Sequence, residues 1–198
     1  RDRSLSFLPW AHAFGKTVVP EEKKVYLAFN KPRGIVCTAE KREKNNVIDY
    51  LSYPVRIYPV GRLDKDSEGL LLMTNDGAIV NGIMRARNRH EKEYQVEVNK
   101  EITPEFLKKM ASGVPILDTV TRPCRIQKTG ERSFTIILTQ GLNRQIRRMC
   151  EALGYRVTKL KRVRIMNIHL KDLKTGEYRP LTEKELAELK KQIGEEKR

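Results

Sequence analysis

Cysteine is scarce in this chain, and its copies are dispersed. Cys37, Cys124 and Cys150 are the only three in 198 residues. They are odd in number and form no C-x-x-C pair, which argues against a disulfide framework and a cysteine-based zinc site. That usage fits a reducing compartment, so a cytoplasmic protein is expected. The three histidines, His12, His90 and His169, are equally scattered and supply no metal-ligand constellation; no metal is expected. No apolar run approaches the ~20 residues that span a bilayer, so no membrane partner is expected. No signal peptide is visible, although the chain starts at Arg1 rather than Met. Acidic residues are in deficit: 25 Asp and Glu against 40 Lys and Arg, for a net charge of +15. An imbalance this large points to a polyanionic partner, either nucleic acid or an anionic surface.

The remaining composition is that of a globular protein. Hydrophobic residues make up 39%, enough for one large domain or two subdomains around a sizeable core. Residues 1–24 stand apart. Leu5, Phe7, Leu8, Trp10 and Phe14 show no clean period, and Pro20 to Lys24 is polar. This segment is expected to be a linker or the end of an upstream unit.

From residue 25 the chain alternates strand and helix signals. Val25–Phe29 and Ile35–Thr38 are strand candidates around an Asn30-Lys31-Pro32-Arg33-Gly34 turn, which predicts a hairpin. Leu70–Thr74 is the length of a buried strand. Asp76 is placed to cap a helix to about Ala86. Glu93–Val98 alternates as a half-buried strand does. Thr103-Pro104 opens a helix with a cap and a proline at its first position. Ser133–Thr139 is a further strand. A helix is predicted from about Asn143 to Leu153, followed by strands over 157–163 and 164–170. Thr182-x-x-Glu185 is a capping box before a C-terminal helix. The order lacks regular βαβ alternation. It predicts an α+β fold with a mixed, largely antiparallel sheet.

Two stretches carry chemistry. Gly61 to Gly69 (G-R-L-D-K-D-S-E-G) is a charged, glycine-bounded loop leading into the apolar Leu70–Met73 run. A carboxylate there, Asp64, is either one charge of a solvated loop or a catalytic group presented by a rigid strand. The Asp64-x-Asp66-x-Glu68 spacing does not make a calcium loop, because the closing glutamate would fall at Asn75. On the helix near 143–153, Ile146, Met149, Cys150 and Leu153 share one arc, and Arg144, Arg148 and Glu151 point away from it. Arg147 lies at the margin. It either snorkels to solvent or meets a deep carboxylate such as Asp64, which it would keep ionised.

Four motifs now stand in order along the chain: Asn30-Lys31-Pro32-Arg33-Gly34, then Gly61-Arg62-Leu63-Asp64-x-x-Ser67-x-Gly69-Leu70 with Thr74-Asn75-Asp76-Gly77, then Lys92-Glu93-Tyr94, and last Gly141 to Met149 (G-L-N-R-Q-I-R-R-M). Together they resemble the RsuA/RluB/RluE/RluF family of pseudouridine synthases, and most of all its RluF branch, over about residues 25 to 185. The resemblance implies a catalytic domain at 25–198 with two subdomains and a central cleft. It also implies that an S4-type RNA-binding domain precedes this domain. The implied activity is isomerisation of a uridine in RNA to pseudouridine, without a cofactor. Asp64, Tyr94 and Arg147 are then the expected catalytic set: a reacting carboxylate, a platform for the flipped base and the cation that holds the carboxylate. Tyr94 could otherwise be an ordinary core aromatic of a strand. Arg62 would fill the gap that the flipped base leaves. Arg144, Arg148, Lys92, Lys161, Arg162 and Arg164 are expected to contact RNA. Large-subunit ribosomal RNA is the first expected substrate and a tRNA anticodon stem-loop the second, with a monomer as the expected state. Whether Asp64 attacks C1′, attacks C6 or abstracts the 2′ proton stays open.

Overall fold

The computed structural model describes residues 22–195. The expected linker over 1–24 therefore lies, up to residue 21, outside the described residues. Along the chain run β1 (Tyr26–Lys31), α1 (Val47–Leu51), β2 (Tyr58–Pro59), β3 (Glu68–Thr74), α2 (Gly77–Arg85), β4 (Lys92–Val98) and α3 (Pro104–Ser112). There follow β5 (Pro115–Ile116), β6 (Thr119–Val120), β7 (Arg125–Gly130), β8 (Ser133–Leu138), α4 (Gln145–Ala152), β9 (Val157–Ile165), β10 (Ile168–His169), β11 (Tyr178–Pro180) and α5 (Glu183–Glu195). Nine strands form one sheet in the order β11-β1-β3-β9-β4-β8-β7, with β2 on β3 and β10 on β9. Only β3 and β9 run parallel, and they touch over just two residue pairs, Glu68–Lys161 and Gly69–Arg162. The predicted mixed, largely antiparallel α+β sheet is therefore present.

The short β3–β9 contact divides the molecule into two halves, each with its own packing. In one half β1 and β3 are covered on both faces, which explains the unbroken apolar run Leu70–Met73. Ala28, Leu70 and Leu72 pack on Ile79 and Ile83 of α2 and on Leu189 and Ile193 of α5. Leu27, Phe29, Leu71 and Met73 face the other way, against Val47 of α1, Ile57 and Leu63. In the other half Phe134 and Ile136 of β8, Val96 of β4, Phe106 and Met110 of α3 and Met149 of α4 form a separate core.

Local signals explain most element ends. Asp76 accepts hydrogen bonds from the Ala78 and Ile79 N–H groups at the start of α2, and Thr103 accepts from Phe106 before α3. Thr182 and Glu185 cap each other reciprocally. Two expectations fail. Residues 35–38 form no strand, so the predicted hairpin is absent; Val36 makes only an isolated parallel bridge to Asn46. The reason lies in Lys31, whose ammonium donates to the carbonyls of Pro32 and Ile35 at 2.8 Å each. That curls the segment instead of extending it. The strands expected at 157–163 and 164–170 are instead one long strand, β9, ending in a tight turn at Met166 (φ 54°) into β10.

Gly69 fixes the join between the halves. Its φ is +107°, and a methyl group there would overlap the Arg162 carbonyl oxygen and lie 2.7 Å from the Arg162 nitrogen. Gly69→Ala is therefore expected to cost about 3 kcal/mol or more in urea unfolding. At the far edge Glu185 is gripped by both guanidinium nitrogens of Arg179, at 2.8 and 3.0 Å. That pair, with the Thr182 N–H, holds the Glu185 carboxyl at about 2 instead of 4.5. Its stabilisation is present above pH 4.5 and drains away as the pH falls toward 2. Glu185→Gln is expected to lower the Tm at pH 7 and to flatten the acid limb of the stability curve across that window.

Candidate active site

The cleft between the halves has a volume of about 580 Å³. Arg62 and Asp64 line it from the first half, Tyr94 and Arg162 from β4 and β9, and Asn143 and Arg144 from the loop before α4. Its position follows from the sheet. The walls part where β3 and β9 barely touch, and the Gly61–Gly69 loop occupies that gap.

The loop is built from buried anchors and exposed chemistry. Leu63 and Ser67 are buried on either side of Asp64, whose side chain is 38% exposed. The Ser67 N–H donates to the Asp64 carbonyl at 3.0 Å, closing a tight turn. The Leu63 N–H donates to Cys37 Sγ at 3.4 Å. The Gly34 N–H donates to the Lys65 carbonyl at 2.7 Å. Gly34 is held in place by the curl around Lys31, whose side chain is 0% exposed. Burial pushes the Lys31 ammonium below its usual range, while Cys37, Asp64, Asp66 and Glu68 pull it back up. The Asn30–Gly34 motif is thus a brace under the Asp64 loop. A lysine inside a Pro-Gly turn gave no sequence signal for that role.

Of the two alternatives for Arg147 the structure shows the buried one, with a side chain only 10% exposed. Its carboxylate partner is Asp66 at 3.5 Å, not Asp64, which corrects the expected pairing. Arg147 Nη2 also donates to the Asp66 carbonyl at 3.0 Å and to Ser67 Oγ at 3.1 Å. Burial disfavours its charge, and the nearby Asp66 carboxylate offsets that cost. Arg144 does not point to bulk solvent. It adopts a left-handed backbone (φ 48°, ψ 38°) just before α4. It donates twice to Asp66, at 3.0 and 2.8 Å, and lies 3.4 Å from Asp64. The helix-angle argument fails there because Arg144 precedes the first α-helical residue and so lies off the helical arc. The Arg144 hydrogen bonds, with the charge of Arg147 adding to them, draw the Asp66 carboxyl below its usual range. Asp66, to which the sequence assigned no role, is therefore the anion that both arginines share.

Tyr94 lines the same cleft as Asp64, in register with Arg162 of β9 beside a β-bulge. Arg62 is exposed at its rim. The remaining expected RNA contacts separate. Lys92 and Arg162 line the cleft; Lys161, Arg148 and Arg164 do not. Lys161 follows Leu160 and precedes Arg162, both of which line the cleft, so strand alternation sends it to the other face. Arg148 is held by the Asn143 carbonyl at 3.0 Å and its side-chain oxygen at 2.9 Å. Arg164 is neutralised by Glu91 at 3.1 Å and Glu93 at 3.2 Å.

A solvent-accessible carboxylate on a braced loop, a cationic surround and an aromatic ring in the same cleft suit a reaction that builds positive charge on a bound planar group. Comparison with known proteins places this geometry. Residues 25–152 match the sequence family described as RNA pseudouridylate synthase. The chain belongs to the RNA pseudouridylate synthase family. Over 181 residues it is 54% identical to the dual-specificity RNA pseudouridine synthase RluF of Salmonella typhi, covering 90% of this chain and 63% of that protein. It thus spans less than two thirds of the length of that curated relative. It is 36% identical over 180 residues to the ribosomal large subunit pseudouridine synthase B of Bacillus subtilis, covering 87% of this chain and 74% of the relative. A pseudouridylate synthase of known crystal structure superposes with a TM-score of 0.78 at 30% identity, over 87% of this chain and 76% of that one.

Within this family member, removing Asp66 strips the shared anion from two arginines, one of them buried. Asp66→Ala is expected to cost about 1–3 kcal/mol by chemical denaturation, whereas Asp64→Ala, on the exposed side of the loop, stays within about 0.5 kcal/mol.

Proposed function

We propose that this chain isomerises a uridine in folded RNA to pseudouridine, with Asp64 as the reacting carboxylate. The observation that carries the proposal is the placement of Asp64, Tyr94 and Arg62 in one basic cleft. Lifting a uridine out of its stack costs a few kcal/mol. Arg62, exposed two residues before Asp64, enters the duplex and takes the vacated place. The flipped uracil lies on the Tyr94 ring, since an aromatic face is the usual platform for an unpaired base. Asp64 then acts at the ribose or the base while the N1–C1′ bond breaks. The uracil turns, C5 bonds to C1′, and C5 loses a proton while N1 gains one. Arg144, held by Asp66, keeps positive charge 3.4 Å from Asp64. Arg147 acts through the loop backbone at Asp66 and Ser67, so it positions Asp64 and does not touch the substrate.

For the substrate we infer large-subunit ribosomal RNA, with a tRNA anticodon stem-loop as a second target. Support comes from the names of the relatives: one is a ribosomal large subunit synthase and another is called dual-specificity.

RNA carrying tritium at uridine C5 tests both parts. The wild-type chain is expected to release label from ribosomal fragments. Asp64→Asn and Asp64→Ala are expected to lose at least about 10²-fold in rate. Label release by either variant at the wild-type rate removes Asp64 from the chemistry. Tyr94→Phe keeps the ring; a fall in release with RNA affinity retained assigns the phenol a proton-transfer role, and an unchanged rate denies it.

A further inference from the structure

The cations around the cleft divide by partner. Arg144 and Arg147 meet Asp66. Arg125 and Arg164 meet Glu91, and Arg164 also meets Glu93. Besides Arg62, four others line the cleft or its mouth without a carboxylate partner among the described residues. Each of these four donates to a backbone carbonyl instead. Arg87 binds the Met84 carbonyl at 3.0 Å, and Lys92 Nζ the Arg87 carbonyl at 2.6 Å. Arg122 binds the Asn88 carbonyl at 2.6 Å, and Arg162 the Leu70 carbonyl at 2.8 Å. Three of the four acceptors belong to one stretch, residues 84–88, at the end of α2 and just after it. Lys92 from β4 and Arg122 from the segment before β7 are therefore drawn to the stretch that carries Arg87.

Such a gathering costs free energy unless an anion offsets it. The cost registers at Lys92, whose ammonium is pushed down to about 8 by burial and by the charges of Arg162, Arg87 and Arg122. The carbonyl bonds use one donor of each side chain. A guanidinium has five and an ammonium three, so most remain to receive an oxyanion. Lys92 and Tyr94 sit two residues apart on one face of β4, about 7 Å along the strand. The cluster therefore lies one step from the base platform.

We propose that Arg87, Lys92 and Arg122, backed by the buried Arg162, form a phosphate site that holds the RNA phosphodiester next to the flipped nucleotide. The site rests on the pseudouridine synthase reading and specifies how that enzyme grips its strand. Its ligand is a backbone phosphate, so it reads position and not sequence. Lys92 is faced by Arg162 from β9, by Arg87 and His90 from the loop after α2 and by Arg122 from the segment before β7. The Gly141 backbone closes another side, where a methyl group would lie 3.8 Å from Nζ. Tyr94 stands beside it and Asp64 across the cleft. Glu91 lies next to Lys92 in sequence, but its carboxylate is occupied by Arg125 and Arg164.

RNA affinity measured by fluorescence anisotropy at several salt concentrations tests the site. Arg87→Gln and Arg122→Gln are each expected to weaken binding about 3- to 10-fold near 0.1 M salt and to lower the log–log salt slope by about 0.7. Lys184→Gln, the same charge change on exposed α5, is expected to leave both unchanged. Equal affinity and slope in Arg87→Gln, Arg122→Gln and wild type overturn the site, while label release by the wild type still upholds the isomerase. Absence of label release by the wild type overturns the isomerase, and the slopes still report the phosphate site. The pH dependence adds a check on Lys92. Between pH 7 and 9 wild-type affinity is expected to fall about tenfold as the free Lys92 loses its proton. Lys92→Arg, charged throughout, is expected to remove that fall.

Discussion

The buried Arg147 guanidinium is the tie on which the cleft depends. It projects from α4, whose apolar side belongs to the core under β4 and β8. It ends on the Asp66 carbonyl, the Asp66 carboxylate and Ser67 Oγ in the loop of the opposite half. The sheet itself joins the halves through only two residue pairs of parallel strand. A join that narrow does not by itself fix the distance between Asp64 and Tyr94. A buried cation without its anion would be costly, so the two halves stay in register. Lys31 performs a parallel task from below, a second buried cation satisfied by carbonyls, and holds the segment that grips Lys65. Two desolvated charges thus build the floor under one exposed carboxylate.

Charge around the cleft has two uses, and the partner of each cation separates them. Arg144, Arg147, Arg125 and Arg164 are neutralised by carboxylates and hold protein to protein. Arg87, Lys92, Arg122 and Arg162 meet only carbonyls, which orient them without cancelling their charge. The net charge of +15 is therefore not a uniform coat. Four of its cations, Arg87, Lys92, Arg122 and Arg162, are gathered at the cleft and its mouth on backbone carbonyls.

Much of the fold was legible in local sequence. Asp76, Thr103 and Thr182 announced three helix starts, because caps are satisfied by residues two or three positions away. The Leu70–Met73 run announced a strand buried on both faces. The illegible parts all involved distant partners. The Ile35–Thr38 segment has strand composition, yet Lys31 curls it. The β7 strand is a polar edge, Arg125–Gly130, that only its pairing with β8 makes a strand. At the site, the helical arc put Arg147 at the margin of the apolar face without deciding its burial, and the carboxylate it meets is Asp66, two residues beyond the expected Asp64. The same arc sent Arg144 to solvent, although its left-handed backbone turns it toward Asp66. Lys161 and Arg162 looked alike in a basic run, and strand alternation puts them on opposite faces.

The sequence by itself determined the α+β order of elements and the helix caps, because these rest on spacing and period, and its four motifs carried the family resemblance. Only the tertiary structure decided which carboxylate each arginine meets, that Lys31 braces the loop, and which cations remain uncancelled. Ion pairing depends on a few ångströms between residues some 80 positions apart, such as Asp66 and Arg144, and one-dimensional spacing carries no information at that separation.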